Sequence, residues 1–394
     1  MSVTANDQSI EAAINGGTAE VSATEKRLEE IIENASAEGT VKIDVSTAEK
    51  ISEVSIPQDI VKKIHDSESV SSLSIITQNG SVEMSENALQ TVSNALTGDN
   101  DHIAIKVDTI DVNSIPATQK YPIANILNSA VFVELSASVI HKDSDGKTTS
   151  TETIHEFNGE VTVSIPYERP ANMEGRQIIA CYIANDGAVT YFPVKYENGV
   201  ATFITTHFSA FAVLESCAAS FPDVDIGAWY MLGVEYALQN SLMGGYSSES
   251  FGPNGNLSRA QLAQILYNKE GKPPISGSSI FTDVAASAWY SDAVIWAAAN
   301  NIVGGYGNGQ FGPDDNITRE QLAVMLWRYS GSPAATSKEL RFNDADQISG
   351  YAVDALRWAV ENGIVNGYGN GRLGPKGLAT RAQVAQMLKN YLER

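Results

Sequence analysis

The sequence predicts an α+β chain: a β-rich front part with a few helices, joined to an all-α module of three repeated units. Three observations predict it. Runs of β-branched residues bounded by Gly, Asn or Asp fill much of the first 216 residues. One amphipathic pattern recurs three times, in phase, after residue 220. And 394 residues give room for two or three domains, each able to bury its own core.

Taken in order, residues 1–38 are polar, with one helical stretch at 24–34 whose Leu28, Ile31 and Ile32 share a face opposite Glu25, Arg27, Glu29 and Glu30. They read as a polar, helical leader. Residues 39–216 read as the β-rich part, with strands expected at 41–45, 71–76, 103–107, 131–140, 160–165, 177–183, 189–194 and 200–204. Hairpin turns are expected at Asn185-Asp186-Gly187 and at Glu197-Asn198-Gly199. Helical interruptions at 58–65 and 85–96 make the region α+β rather than purely β.

Residues 221–394 hold the repeat, with units at 221–271, 281–330 and 342–392. Phe221-Pro222-Asp223-Val224, Phe281-Thr282-Asp283-Val284 and Phe342-Asn343-Asp344-Ala345 recur at spacings of 60 and 61 residues. An amphipathic helix follows each, then a Gly-Tyr loop: Gly244-Gly245-Tyr246, Gly304-Gly305-Tyr306 and Asn366-Gly367-Tyr368. Phe251, Phe311 or Leu373 then precedes Gly-Pro, and a second helix opens on Ser258-Arg259, Thr318-Arg319 or Thr380-Arg381. One unit of about 55 residues is marginal alone. Three should therefore close around a shared core with threefold pseudo-symmetry, burying stripes such as Val294, Ala297 and Ala298 with Leu322, Ala323 and Leu326.

Charge narrows the partners. The net charge of −21 excludes nucleic acid, whose phosphates need a basic face. The last 174 residues hold 16 acids and 13 bases, whereas the first 220 hold 31 acids and 13 bases. An acidic partner must therefore be held by the repeats. No apolar stretch approaches the length of a membrane span, so no membrane insertion is expected. The start, Met1-Ser2-Val3-Thr4-Ala5-Asn6, lacks a basic segment and an apolar run, so it is not a signal peptide, and a mature piece of a secreted protein is expected. Cys181 and Cys217 suit either redox compartment, and the sequence gives no distance between them.

The second helices carry the clearest chemical signal. Ser258, Thr318 and Thr380 are good N-caps, yet Arg259, Arg319 and Arg381 follow, where a cation opposes the helix dipole. That sign, three times over, points to an anion site made from first-turn amides and a guanidinium suited to a planar carboxylate. The alternative is an internal pair with Asp223, Asp283 and Asp344. Gly245, Gly305 and Gly367 let the backbone approach a ligand, and Tyr246, Tyr306 and Tyr368 offer faces to sugar rings. Trp229 and Trp289, at the start of the first helices, line a groove or fill the core; Trp296 and Trp358, among alanines, are expected in the core.

Phe-x-Asp-Val, Gly-Tyr, Phe-x-Pro and Thr-Arg-Ala-Gln, three times over, resemble S-layer homology repeats across the whole of 221–394. The resemblance implies a three-pronged helical bundle that binds secondary cell-wall polysaccharide, a peptidoglycan-linked polymer, without a covalent bond. It also implies contact between the ketal carboxylate of a pyruvylated sugar and Arg259, Arg319 and Arg381, in grooves between adjacent units. The location implied is the surface of a Gram-positive-type bacterium, with self-assembly there an open possibility. Residues 161–167 and 205–211 resemble a β-domain that often precedes wall-anchoring repeats, which implies a spacer or display role. The third repeat departs from the pattern at Ala345, Tyr351 and Leu373, so its groove is expected to be the weakest and the second repeat's the best formed.

Rival readings fare worse. Asp314-Asp315 and Asp344 with Asp346 lie at loop positions rather than in a separate catalytic constellation, and His207 has no nucleophile partner, so no enzyme is expected. Gly307-Asn308-Gly309 before Asp314-Asp315-Asn316 lacks the acidic ladder of a calcium loop and reads as a turn. Neither cofactor nor metal is expected. The remaining alternative is a surface-layer lattice or adhesion protein in which residues 39–216 do the work.

Overall fold

A computed structural model of the chain describes all residues except 1, 7, 36–38, 49, 115–129, 174, 185–187 and 337–338. It divides into two compact units, Met1–Ser216 and Cys217–Arg394.

Among its described residues the first unit is one sixteen-stranded sheet with three α-helices. Its strands are β1 (Ser2–Ala5), β2 (Gln8–Asn15), β3 (Thr18–Ser22), β4 (Thr40–Asp44), β5 (Glu53–Pro57), β6 (Ser72–Thr77), β7 (Gly80–Ser85) and β8 (His102–Ile110). They continue with β9 (Val131–Lys142), β10 (Thr148–Ile154), β11 (Glu156–Pro166), β12 (Gln177–Ile183), β13 (Val189–Pro193), β14 (Lys195–Glu197), β15 (Val200–His207) and β16 (Ala210–Ser216). The order is 13-12-16-9-8-5-3-2-1-4-6-7-11-15-14, with β10 paired to β9. Pairing is antiparallel except for β3 with β5 and β4 with β6. The sheet folds back on itself: Phe192 on edge strand β13 packs on Phe203 of β15 at 6.0 Å. Alternate residues of each strand, such as Val161, Val163 and Ile165, fill the interior between its faces. Helices α1 (Glu25–Ala35), α2 (Gln58–His65) and α3 (Glu86–Ala95) bury Leu28, Ile31, Ile60, Ile64, Leu89 and Val92 in the same core.

One expectation is overturned here. Residues 1–38 are not a leader: β1, β2 and β3 lie in the middle of the sheet, and α1 packs beside β4. Their inward residues are small or isolated (Ala5, Ile10, Ala12, Ala19, Val21), so burial comes from neighbouring strands rather than from a strong local β signal. The turn at Asn198-Gly199 is present, with φ of 52° and 79° joining β14 to β15. The turn expected at 185–187 lies outside the described residues. Segments 161–167 and 205–211 meet at their first residues, where Val161 pairs with Thr205, and the pairing of 162–166 continues along 200–204. His207 closes β15 with its ring against Tyr182 and Phe211, a packing position. Cys181 and Cys217 are both free thiols, and burial pushes the Cys181 thiol up to about 12.

The second unit is helical. Each repeat supplies a first helix, α4 (Met231–Gln239), α6 (Ser291–Ala299) or α8 (Val353–Glu361), and a second, α5 (Arg259–Lys269), α7 (Arg319–Tyr329) or α9 (Arg381–Leu392). Each second helix packs against the first helix of the next repeat: α5 on α6, α7 on α8, and α9 back on α4. The residues just before the second helices close a ring about the pseudo-threefold axis. The Leu257 amide donates to the Ala379 carbonyl (3.1 Å), Ile317 to Leu257 (2.8 Å) and Ala379 to Ile317 (2.8 Å). Leu262, Leu322 and Val384 and the side chains of Phe251, Phe311 and Leu373 are fully buried around it. Trp358 is in this core as expected, while Trp296 is half-buried against Tyr267. Among the described residues no helix is long and apolar enough to cross a membrane.

Candidate functional site

The second helices begin as their sequences dictate. Ser258, Thr318 and Thr380 adopt extended backbone and form full capping boxes with Gln261, Gln321 and Gln383. The amides before the capped position are also taken, by the loop of the following repeat. Arg259 N donates to the Asp315 carbonyl (3.0 Å) and Ala260 N to that of Pro313 (3.0 Å). Arg319 and Glu320 do the same to Gly377 and Pro375, and Arg381 and Ala382 to Gly255 and Pro253. The expected anion site of free first-turn amides is therefore absent. These amides serve to lock one repeat onto the next.

The arginine side chains extend the same lock. Arg259 Nε donates to the Phe311 carbonyl (2.9 Å) and Nη2 to that of Gly304 (2.9 Å). Arg319 reaches Leu373 (3.0 Å) and Asn366 (2.6 Å), and Arg381 reaches Phe251 (2.9 Å) and Gly244. Each guanidinium also lies over the tyrosine of that next loop: Arg259 at 5.0 Å from the Tyr306 centroid, Arg319 at 4.7 Å from Tyr368, and Arg381 at 4.4 Å from Tyr246. Carbonyls and an aromatic face thus offset much of the cost of burying the cation. Burial lowers each guanidinium below its ordinary value, though a guanidinium stays protonated at any physiological pH.

Asp223, Asp283 and Asp344 do not pair with these arginines. Each carboxylate instead staples its own repeat's loop, accepting the amides of Phe251 and Gly252, Phe311 and Gly312, or Leu373 and Gly374 at 2.8–2.9 Å. For Asp344 the Leu373 amide is the main cause of a carboxyl held below the usual range. For Asp223 and Asp283, burial pushes the carboxyl up, but the amides together outweigh it. The second glycine of each loop is fixed by packing. A Cβ on Gly245, Gly305 or Gly367 would stand 2.4, 2.8 or 2.7 Å from the ring of Phe221, Phe281 or Phe342.

These contacts shape grooves that draw on all three repeats. One, of about 430 Å³, is lined by Arg319 of the second repeat, Asn366, Gly367 and Tyr368 of the third, Gln383, Gln386, Met387 and Asn390 of α9, and Trp229 of the first. Another, of about 390 Å³, joins Arg259 of the first repeat to Gly304, Gly305 and Tyr306 of the second, Val324, Met325 and Arg328 of α7, and Tyr351 of the third. Both volumes fall in the range of small-ligand sites. Trp229 and Trp289 stand out from the surface, 64% and 63% exposed, so neither is a core residue. Tyr246, Tyr306 and Tyr368 are about half exposed, with one face under the arginine. Tyr351 of the third repeat faces the second repeat's loop, so a departure in one repeat is felt in another repeat's groove. Sequence reasoning missed Gln386, Asn390, Met387 and Arg328; their shared position toward the end of the second helix was the available signal.

A cyclic three-repeat helical module with an arginine–tyrosine lock at each junction is thus the class of protein defined by the second unit. Residues 220–263, 280–323 and 341–385 match the family model described as the S-layer homology domain, and the chain carries three such domains. Similar proteins include an amylopullulanase of Thermoanaerobacterium thermosulfurigenes, 28% identical over 61% of this chain and 13% of that protein. A cellulosome-anchoring protein of Acetivibrio thermocellus is 26% identical over 38% of this chain and 35% of its own length. An S-layer protein of Bacillus thuringiensis subsp. finitimus is 27% identical over 49% of this chain and 24% of its own. The chain thus spans only about a third or less of each of these relatives.

Proposed function

We propose that the second unit anchors a secreted surface protein to the wall of a Gram-positive-type bacterium by binding a secondary cell-wall polysaccharide without a covalent bond. The single observation that carries this reading is the groove in which an exposed indole, Trp229, faces a buried cation, Arg319, across a wall of amide side chains. An indole face packs on the apolar face of a sugar ring, and amides exchange hydrogen bonds with hydroxyl and N-acyl groups. Arg319 commits Nε and Nη2 to carbonyls, and its Nη1 makes no hydrogen bond among the described residues. That nitrogen is the one to meet an acidic substituent, which we take to be the carboxylate of a pyruvylated sugar. Asp223, Asp283, Asp344 and the loop glycines act as positioning residues, holding the loops that carry Tyr246, Tyr306 and Tyr368. The S-layer and cellulosome-anchoring names among the relatives support a wall-anchoring or surface-layer role, and no reaction is proposed for the repeats.

The test is a pull-down of the full chain on purified cell walls, untreated or stripped of secondary polymer, with Trp229→Ala beside the wild type. Trp229 is exposed, so its removal should leave the melting temperature unchanged. Binding should require the polymer and weaken about 3- to 10-fold in the variant. Binding that ignores polymer removal would exclude this function and point to peptidoglycan or to another protein.

A further inference from the structure

The two grooves are not chemically equivalent, and the difference centres on one side chain. Arg328, in the last turn of α7, lines the groove that holds Arg259. Its Nη1 lies 3.5 Å from where a Cβ on Gly304 would stand, so the guanidinium reaches the loop that Arg259 grips. The equivalent positions in α5 and α9 are Asn268 and Asn390. There Asn268 accepts from Gln264 (2.8 Å), and Asn390 accepts from Gln386 (2.8 Å) and donates to the Gly363 carbonyl (3.1 Å). In α7 the glutamine is replaced by Val324, which offers nothing to Arg328. Among the described residues the Arg328 side chain has neither an ion pair nor a hydrogen bond, although it is half-buried.

No carboxylate lines this groove. Those on flanking elements are engaged: Asp315 accepts the Tyr306 hydroxyl (2.8 Å), Asp283 the Phe311 and Gly312 amides, and Glu320 accepts Ser349, Tyr351 and Lys376. Asp315 and Asp283 act on Arg259 from outside the groove, but Arg328 has no ion pair among the described residues, so two guanidiniums share a groove that an anion would help to balance. The Arg319 groove has one guanidinium and four amide side chains instead.

We infer that the Arg259 groove is a two-cation subsite for the acidic substituent of the wall polymer, a carboxylate or phosphate, and that Arg328 is its specificity-determining residue. This rests on the reading of the second unit as a polymer binder. Arg259 presents the Nη1 end of a fixed guanidinium, and Arg328 presents a whole fork, able to hold a planar carboxylate or a phosphate by two parallel hydrogen bonds.

The experiment is equilibrium binding of the full chain to purified wall polysaccharide in three forms: native, carboxyl-reduced and phosphate-stripped. Arg328→Asn should bind native polymer about tenfold or more weakly than wild type, with a shallower salt dependence, while Arg328→Lys loses less. One treatment should erase the difference between wild type and Arg328→Asn, and that treatment identifies the anion. Because Arg328 holds no partner among the described residues, the variant should melt with the wild type. Equal binding of Arg328→Asn to native polymer would overturn the inference while leaving polymer binding intact. A difference that survives both treatments would also overturn it, since Arg328 would then read something other than charge. Failure of the wild type to bind any form would remove the broader reading along with it.

Discussion

At each junction between repeats, an arginine and an aspartate that look like a charge pair in the sequence serve two separate loop contacts. Asp344 is the clearest case: it is buried, and its two oxygens accept the Leu373 and Gly374 amides. Asp344→Asn puts an amide donor against one of those N–H groups and should cost about 1–3 kcal/mol in thermal or denaturant unfolding. The pH dependence follows in sign. All three loop carboxyls are held below their ordinary value of 3.8 in the folded unit. Their contribution is therefore fully present above that value and is lost as the pH falls below it, through each lowered folded value. Melting of the second unit should be nearly flat from pH 7 to about 5 and fall steeply below about 4, with Asp344→Asn showing a weaker acid dependence. Equal acid slopes in the two proteins would mean that the Asp344 staple contributes nothing. At this scale the sequence reveals which residues recur, but not their partners. Arg381 bonds to Gly244 and Phe251, more than 100 residues away, and no local pattern encodes that choice.

Among the elements, the helices were the most legible, because their stripes and caps are local. The stretch 58–65 coincides with α2, and the capping residues Ser258, Thr318 and Thr380 sit where expected. Strands β1–β3 were missed because their burial depends on partners from elsewhere in the chain, as in the parallel pairing of β3 with β5. The closing contact of the helical ring was hidden for a similar reason. Gly233 of α4 stands where α6 and α8 have Ala293 and Ala355, which suggests that alanine would fit. It would not: a Cβ there would come within 2.6 Å of the Gln386 backbone on α9. Gly233→Ala should therefore force α4 away from α9 and destabilise the unit by about 1–3 kcal/mol. It should also weaken polymer binding, because Gln386 lines the Arg319 groove. A variant with wild-type melting and binding would show that the two helices can move apart freely.

Across the second unit, the cyclic packing explains why three repeats act together. Each of the two grooves described takes its cation from one repeat, its tyrosine loop and helical wall from the next, and its exposed aromatic from the remaining one. A single repeat has no complete groove, and losing one opens the ring at two junctions. The threefold module was legible from spacing alone, whereas the sharing of each groove among repeats became visible only with the fold. Trp229 and Arg319 belong to different repeats, 90 positions apart, yet line one groove. The most direct measurement of the central claim is a double-mutant cycle on these two residues, read as equilibrium affinity of the full chain for purified wall polysaccharide. Trp229→Ala and Arg319→Ala should each weaken binding, and the double variant should lose less than the two losses combined, with a coupling of about 0.5–3 kcal/mol. Losses that simply multiply, or a Trp229→Ala variant that binds as well as the wild type, would contradict a groove built from three repeats.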